Sequence, residues 1–432
     1  MGEVVKISRV EKCQGAIAIP SDKSLTHRAY IFAALAQASD RGGVSRLSNT
    51  LRGEDCEATR NAFAMMGKSS RHLSDTETEL DCSGDWNNEP VAIDCGNSGT
   101  TMRLLAGVFA GLPGCNVTLT GDESLSRRPM KRIIDPLRMM GADISGDTAP
   151  ITIRGKQLRG IHFTSPVASA QVKSCLLLAG LNATAPVSIT EPAQSRNHTE
   201  LMLQSLGVEL DQDGLTTTLT PGQKWEPFSF RVPGDISSAA FWMVLAALVP
   251  GSNLLLQRVG LNPTRTGILG VFEQVGQTVE IGNQTDELGE AVGDVSLSYK
   301  VNLQPFEISG DLVPRLIDEI AVLAVLATQC HGKSIIRDAG EMRVKESDRI
   351  AVVCDALKRM GANVTEQPDG MIIEGPTPLT GTSIDARHDH RLAMSFAVAG
   401  SIADGETTIL NADSVQTSYP EFWSHYANVT TP

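Results

Sequence analysis

The sequence predicts an α/β protein of two domains, each built from three repeats of about 70 residues. Three observations predict it. A helix end of the form apolar, two residues, apolar, Gly recurs at Gly67, Gly141, Gly207, Gly276 and Gly361, spaced 66 to 85 residues apart. Small or polar caps open Ala/Leu-rich runs at Ser21, Gly96, Ser169, Asp235, Asp318 and Asp389, spaced 66 to 83 residues apart. After most of these runs comes an alternating strand, as in Asn116-Val-Thr-Leu-Thr120 and Lys333-Ser-Ile-Ile336. Each repeat therefore reads as helix, strand, helix, glycine cap, then two or more strands.

The first opening, Ser21-Asp-Lys-Ser-Leu-Thr-His-Arg28, follows the alternating run Gly15-Ala-Ile-Ala-Ile-Pro20. A helix start presents unpaired N–H groups and favours anions. At the other end, the last repeat runs out after Leu410, with a terminal helix expected around Glu421 to Tyr426. The strands it lacks are expected from residues 3 to 19. This divides the chain into one domain of residues 1–20 plus 235–432 and a second of 21–234. One repeat cannot bury its own apolar face, so three share each core. Parallel helices would then open their positive ends on one face. Two such faces across a hinge would suit small polyanions, with closure expelling water.

Composition narrows the function. The 432 residues carry a net charge of −13, which argues against binding nucleic acid or an anionic membrane surface. Aromatics are few, so the core must come from Ala, Leu, Val, Ile and Met. Eight cysteines form no CxxC or finger spacing and read as reduced, buried thiols. The apolar run Phe241 to Val249 is too short to span a bilayer, and no signal pattern precedes Gly15. A cytoplasmic location is expected.

Several motifs carry charge. Gly96-Asn-Ser-Gly-Thr-Thr-Met-Arg103 is a glycine and hydroxyl turn at a helix start, without the Gly-Lys-Ser/Thr ending of a P-loop. Arg127-Arg128-Pro129 sets two guanidiniums at another helix start, where bidentate anion contact or a solvated turn are both open. Ser169-Ala-Gln171 and Ser195-Arg196-Asn-His198 offer further donors. Arg343-Val-Lys345-Glu346-Ser-Asp348-Arg349 interleaves three cations with two carboxylates, either as a solvated helix face or as a carboxylate held by cations while it handles a proton. Arg391 sits one turn into an apolar helix and favours an anion contact. Asp318-Glu319 opens another apolar helix, as an N-cap or a base kept ionised by the helix end. GxSxG, HExxH and strand-linked GxGxxG patterns are absent from the sequence, and its eight histidines lack ligand spacing.

Pro20-Ser-Asp-Lys-Ser-Leu-Thr-His-Arg28, Gly96 to Arg103, Arg128-Pro129-Met130, Arg343 to Arg349 and Asp389-His-Arg-Leu-Ala-Met394 together resemble the 5-enolpyruvylshikimate-3-phosphate synthase family, in its order and across nearly the whole chain. The resemblance implies an inverted α/β barrel of two domains, each of three βαβαββ units. It implies transfer of the enolpyruvyl group of phosphoenolpyruvate to the 5-hydroxyl of shikimate 3-phosphate, by a monomer without metal or cofactor. It assigns phosphoenolpyruvate to Lys23, Gly99, Arg128, Gln171, Arg349 and Arg391. It assigns shikimate 3-phosphate to Lys23, Ser24, Arg28, Ser169, Gln171, Arg196, Asp318 and Lys345. Asp318, Glu346 and Lys23 become the catalytic residues. The sequence departs from the pattern at Arg103-Leu104, at Ala170 and in Val415-Gln-Thr-Ser-Tyr-Pro420, which lacks a lysine, and so leans toward a divergent bacterial branch. Rival readings are the sister transferase acting on UDP-N-acetylglucosamine, a non-catalytic sugar-phosphate binder and a nucleotide-dependent phosphotransferase.

Overall fold

The computed structural model describes residues 2–40 and 42–431. The chain divides into two compact units. One comprises Met1–Pro20, Gly234–Thr285 and Ala291–Pro432, and the other Ser21–Pro233 with Asp286–Glu290. Gly234 thus falls on the other side of the boundary from the expected one. Its N–H donates to Arg258 O at 2.8 Å and its carbonyl accepts from Gly260 N at 2.7 Å, both in the first unit.

The unit containing Ser21 has three four-stranded sheets on one plan: a parallel pair, then two antiparallel strands. Pro90–Asp94 runs parallel to Asn116–Thr120, followed antiparallel by Ile151–Arg154 and Asp143–Ser145. Ile161–Thr164, Val187–Thr190, Thr216–Leu219 and Leu210–Asp213 repeat this order. In the third sheet the lead strand, Ser229–Arg231, comes from the end of the segment and pairs with Val44–Ser48. Three helices, Lys23–Leu35, Gly99–Ala110 and Ala170–Gly180, are almost wholly buried. They pack backbone to backbone: a Cβ added at Gly107 would stand 2.1 Å from the Cys175 carbonyl oxygen. Small residues are therefore what this contact needs.

In the other unit the helices Ile236–Leu248, Ile320–Ala327 and His390–Ile402 fill the same buried role. Its sheets include the N-terminal strands. Val4–Ile7 pairs antiparallel with Thr407–Leu410, and Lys12–Ala18 runs parallel to Asn253–Gly260. Each unit has its own apolar core.

The five recurring glycines all have positive φ, from 76° at Gly276 to 95° at Gly67 and Gly361. They terminate helices, as the repeat predicts. The caps differ in detail. Asp22, not Ser21, caps the first helix, its carboxylate accepting from Leu25 N at 2.8 Å. Ser98, Ser169, Asp235 and Asp389 cap theirs through their side chains. The helix after Asp318 begins at Ile320, with Glu319 rather than Asp318 in the cap position. Pro129 stands before, not within, the first turn of Lys131–Met139.

Candidate active site

In the Ser21 unit the helix N-termini gather cations. Lys23 opens its helix, and its Nζ pairs with Asp55 Oδ2 at 2.9 Å. Arg128 turns back on the Gly96 loop, donating from Nη2 to Asn97 Oδ1 at 2.5 Å and from Nη1 to the Asn97 carbonyl at 3.2 Å. Gly99 lies under both arginines of this corner. A Cβ there would stand 3.0 Å from Arg103 Nη1 and 3.3 Å from Arg128 Nη1. Gln171 joins them, accepting from Arg103 Nη1 at 2.5 Å and donating to Thr100 Oγ1 at 3.0 Å. Arg127 points away into solvent and pairs with Glu123.

Arg28 is buried and, among the described residues, donates to uncharged acceptors: Thr199 Oγ1 and Ser174 Oγ, each at 2.8 Å, and the Ser24 carbonyl at 2.9 Å. Burial pulls its pKa down to about 10, opposed by the fields of Glu200, Asp22 and Glu290, so it stays protonated at neutral pH. His27 beside it is held well below the usual imidazole range by burial and by Lys23 and Arg28. It is therefore neutral and adds no charge. Ser169 caps its helix, and Arg196 is half-buried two residues before the helix His198–Ser205. Ser195 is buried with its hydroxyl unpartnered.

In the other unit one guanidinium organises the site. Arg349 is 2% exposed. Its Nε and Nη2 fork onto Asp389 at 2.8 and 3.2 Å, Nη2 also reaches Glu346 Oε2 at 2.7 Å, and Nη1 reaches Asp318 Oδ1 at 3.3 Å. Burial works against its charge, but Asp389, Glu346 and Asp318 outweigh burial and raise its pKa. Lys345 Nζ stands 3.8 Å from the same Asp318 oxygen. Asp389 accepts in addition from Ser347 Oγ and from Arg391 N, each at 3.0 Å. Arg391 is buried with Nη1 unpartnered. The Arg343–Arg349 cluster therefore splits. Arg343 binds Asp348 and Glu366 and anchors the segment, while Lys345 and Arg349 converge on Asp318 and Glu346 joins Arg349.

Sequence reasoning missed Arg103, Asp55 and Asp389 as site components. For Arg103 a signal existed: it lies four residues after Gly99 on one helix, hence on the same face. Asp55 is 32 residues from Lys23 and carried none. No cluster of metal-ligating side chains occurs among the described residues, and none of their helices is long and apolar enough to cross a membrane.

An α/β chain whose buried helix starts carry fixed cations, with three carboxylates held on one arginine, has the groups that small anions and proton transfer need. The comparisons give the kind. The family model for EPSP synthase (3-phosphoshikimate 1-carboxyvinyltransferase) matches residues 7–426. The 3-phosphoshikimate 1-carboxyvinyltransferase of Brevibacillus brevis is 46% identical over 424 residues, covering 97% of this chain and 98% of that one. That of Gloeobacter violaceus is 46% identical, covering 99% of both. The solved EPSP synthase of Acinetobacter baumannii superposes with a TM-score of 0.88 at 39% identity, covering 100% of this chain and 98% of that one. The chain belongs to the EPSP synthase family.

Proposed function

We propose that this protein is a 3-phosphoshikimate 1-carboxyvinyltransferase of the shikimate pathway. It moves the enolpyruvyl group of phosphoenolpyruvate to the 5-hydroxyl of shikimate 3-phosphate and releases phosphate. The observation that carries the reading, given the family, is the Arg349 clamp, which places Asp318 and Glu346 on a single guanidinium.

Two anions must be brought together, so fixed cations have to cancel their repulsion before any bond forms. Lys23, Gly99, Arg128, Gln171, Arg349 and Arg391 hold phosphoenolpyruvate. Lys23, Ser24, Arg28, Ser169, Gln171, Arg196, Asp318 and Lys345 hold shikimate 3-phosphate. The 5-hydroxyl oxygen attacks the central carbon of phosphoenolpyruvate while the methylene carbon takes a proton. Asp318 receives the hydroxyl proton and Glu346 supplies the methylene proton, with Lys23 as the third catalytic residue. Loss of a proton from the new methyl group then expels phosphate and restores the double bond. Arg349 suits this scheme because it holds the base and the acid without donating a proton itself. We further read the two units as two domains, with crossings near Pro20 and near Pro233-Gly234, each an inverted α/β barrel of three βαβαββ repeats. The common plan of the three sheets in the Ser21 unit supports this.

The test is phosphate release from protein, shikimate 3-phosphate and phosphoenolpyruvate. Turnover is expected with this acceptor and not with UDP-N-acetylglucosamine. Absence of release with either acceptor removes the enzymatic reading.

A further inference from the structure

The start of the helix His198–Ser205 places three buried polar side chains in succession, and each takes a different partner. His198 Nδ1 meets Glu290 Oε1 at 2.7 Å, Thr199 Oγ1 meets Ser174 Oγ at 2.7 Å, and Glu200 meets Lys173 Nζ at 2.8 Å. Lys173 is also held by Glu191 at 2.6 Å. His198, Thr199, Glu200, Glu290 and Lys173 are each 1% exposed, and Ser174 is fully buried. Lys173 and Ser174 are neighbours on the helix Ala170–Gly180, just as Thr199 and Glu200 are neighbours on theirs. The two helices are thus joined by two adjacent rungs, one ionic and one between hydroxyls.

The hydroxyl rung is where Arg28 rests. Thr199 accepts from its Nε and Ser174 from its Nη2. A third contact, to the Ser24 carbonyl, takes one N–H of Nη1. These three contacts fix the plane of the guanidinium while using only three of its five N–H donors. Its hydrogen-bond partners are all uncharged, and carboxylates act on it only through their fields. A buried ionic lattice is a poor source of stability compared with apolar packing of the same volume. What it supplies here is a fixed geometry for a buried cation.

We infer that Thr199 and Ser174 are positioning residues that aim Arg28 at the phosphorylated acceptor substrate, with the Lys173–Glu200 rung keeping their two helices in register. The inference rests on the functional reading above, in which Arg28 binds shikimate 3-phosphate. Thr199→Val keeps the shape of the side chain and deletes the acceptor for Arg28 Nε. Its Kd for shikimate 3-phosphate, measured by calorimetry on the full chain, is expected to rise about tenfold, the scale of one hydrogen bond to a charged group. The KM for phosphoenolpyruvate is expected to hold, and Thr199→Ser to restore the parent Kd. Ser174→Ala gives the same pattern through Nη2 and serves if Thr199→Val does not fold. A merely structural role would lower the melting temperature and leave the Kd where it was, which overturns the inference. If the parent itself binds no shikimate 3-phosphate, the functional reading fails and this inference falls with it. If the parent binds and both variants bind equally well, only the positioning role is lost.

Discussion

At the scale of single residues, Arg349 does two jobs that the sequence presents as one. Its motif suggests a ligand arginine, and in the folded chain it also neutralises three of the protein's own carboxylates. Removing one partner of a buried charge cluster leaves the others uncompensated, at a cost of roughly 3–5 kcal/mol. Arg349→Leu is therefore expected to lower the unfolding free energy by about 3 kcal/mol in urea titration, beyond any effect on phosphoenolpyruvate binding. A variant as stable as its parent would show that the clamp is not holding Asp318, Glu346 and Asp389 together. The residue scale is also where sequence reading stopped. Lys23, Arg28, Arg128, Gln171 and Arg349 could be singled out because they sit in short motifs at helix starts. Asp55, Thr199 and Ser174 could not. Their importance comes from partners 32, 171 and 146 residues away, and distances of that kind are set by packing.

The elements were more legible. A glycine with positive φ ending a helix is a local event with a local cause, and five of them in register suggested the repeat. Cap chemistry was legible to within one or two residues. It differed at Asp318, whose carboxylate stands 3.3 Å from Arg349 Nη1 and 3.8 Å from Lys345 Nζ, while Glu319 takes the cap position. The small-residue helices and strands also bury all eight thiols, in line with the reading of them as buried. Burial pushes Cys115 up to about 11 and Cys13, Cys95, Cys330 and Cys354 up to about 12. A pKa raised by folding contributes stability that is intact below the unfolded value and is lost as pH rises through the folded one. The unfolded thiol titrates near 9.0, so the window runs from about pH 9 to 12. Within it each thiol is expected to weaken the fold by up to about 1.4 kcal/mol per pH unit. Urea midpoints should fall steadily above pH 9, with protons released on unfolding. A flat profile between pH 9 and 11 would contradict the burial of these groups.

For the whole molecule, composition set the broad class, and the charge balance turned attention from macromolecular partners to small anions. The pairing of the N-terminal strands with the far end of the chain was suggested by a repeat that ran short. The assignment of Asp286–Glu290 to the Ser21 unit was not. Glu290 meets His198 across 92 residues of sequence, and nothing in either segment announces the other.

The strand pairs Val4↔Leu410 and Lys12↔Thr431 set early segments of the sequence beside its latest ones. The order in which the ribosome makes the segments is therefore not the order the fold requires. A linker from Thr431 to Gly2, with a new opening between Pro233 and Gly234, would make a circular permutant. In it the unit that holds Arg349 becomes one continuous stretch apart from the five residues 286–290. Both new ends would remain tied, since the Pro233 carbonyl accepts from Asp22 N at 2.7 Å and Gly234 N donates to Arg258 O at 2.8 Å. Such a permutant is expected to fold, with a circular dichroism spectrum matching the parent's. If it stays unfolded, the link between Pro233 and Gly234 is itself needed for folding.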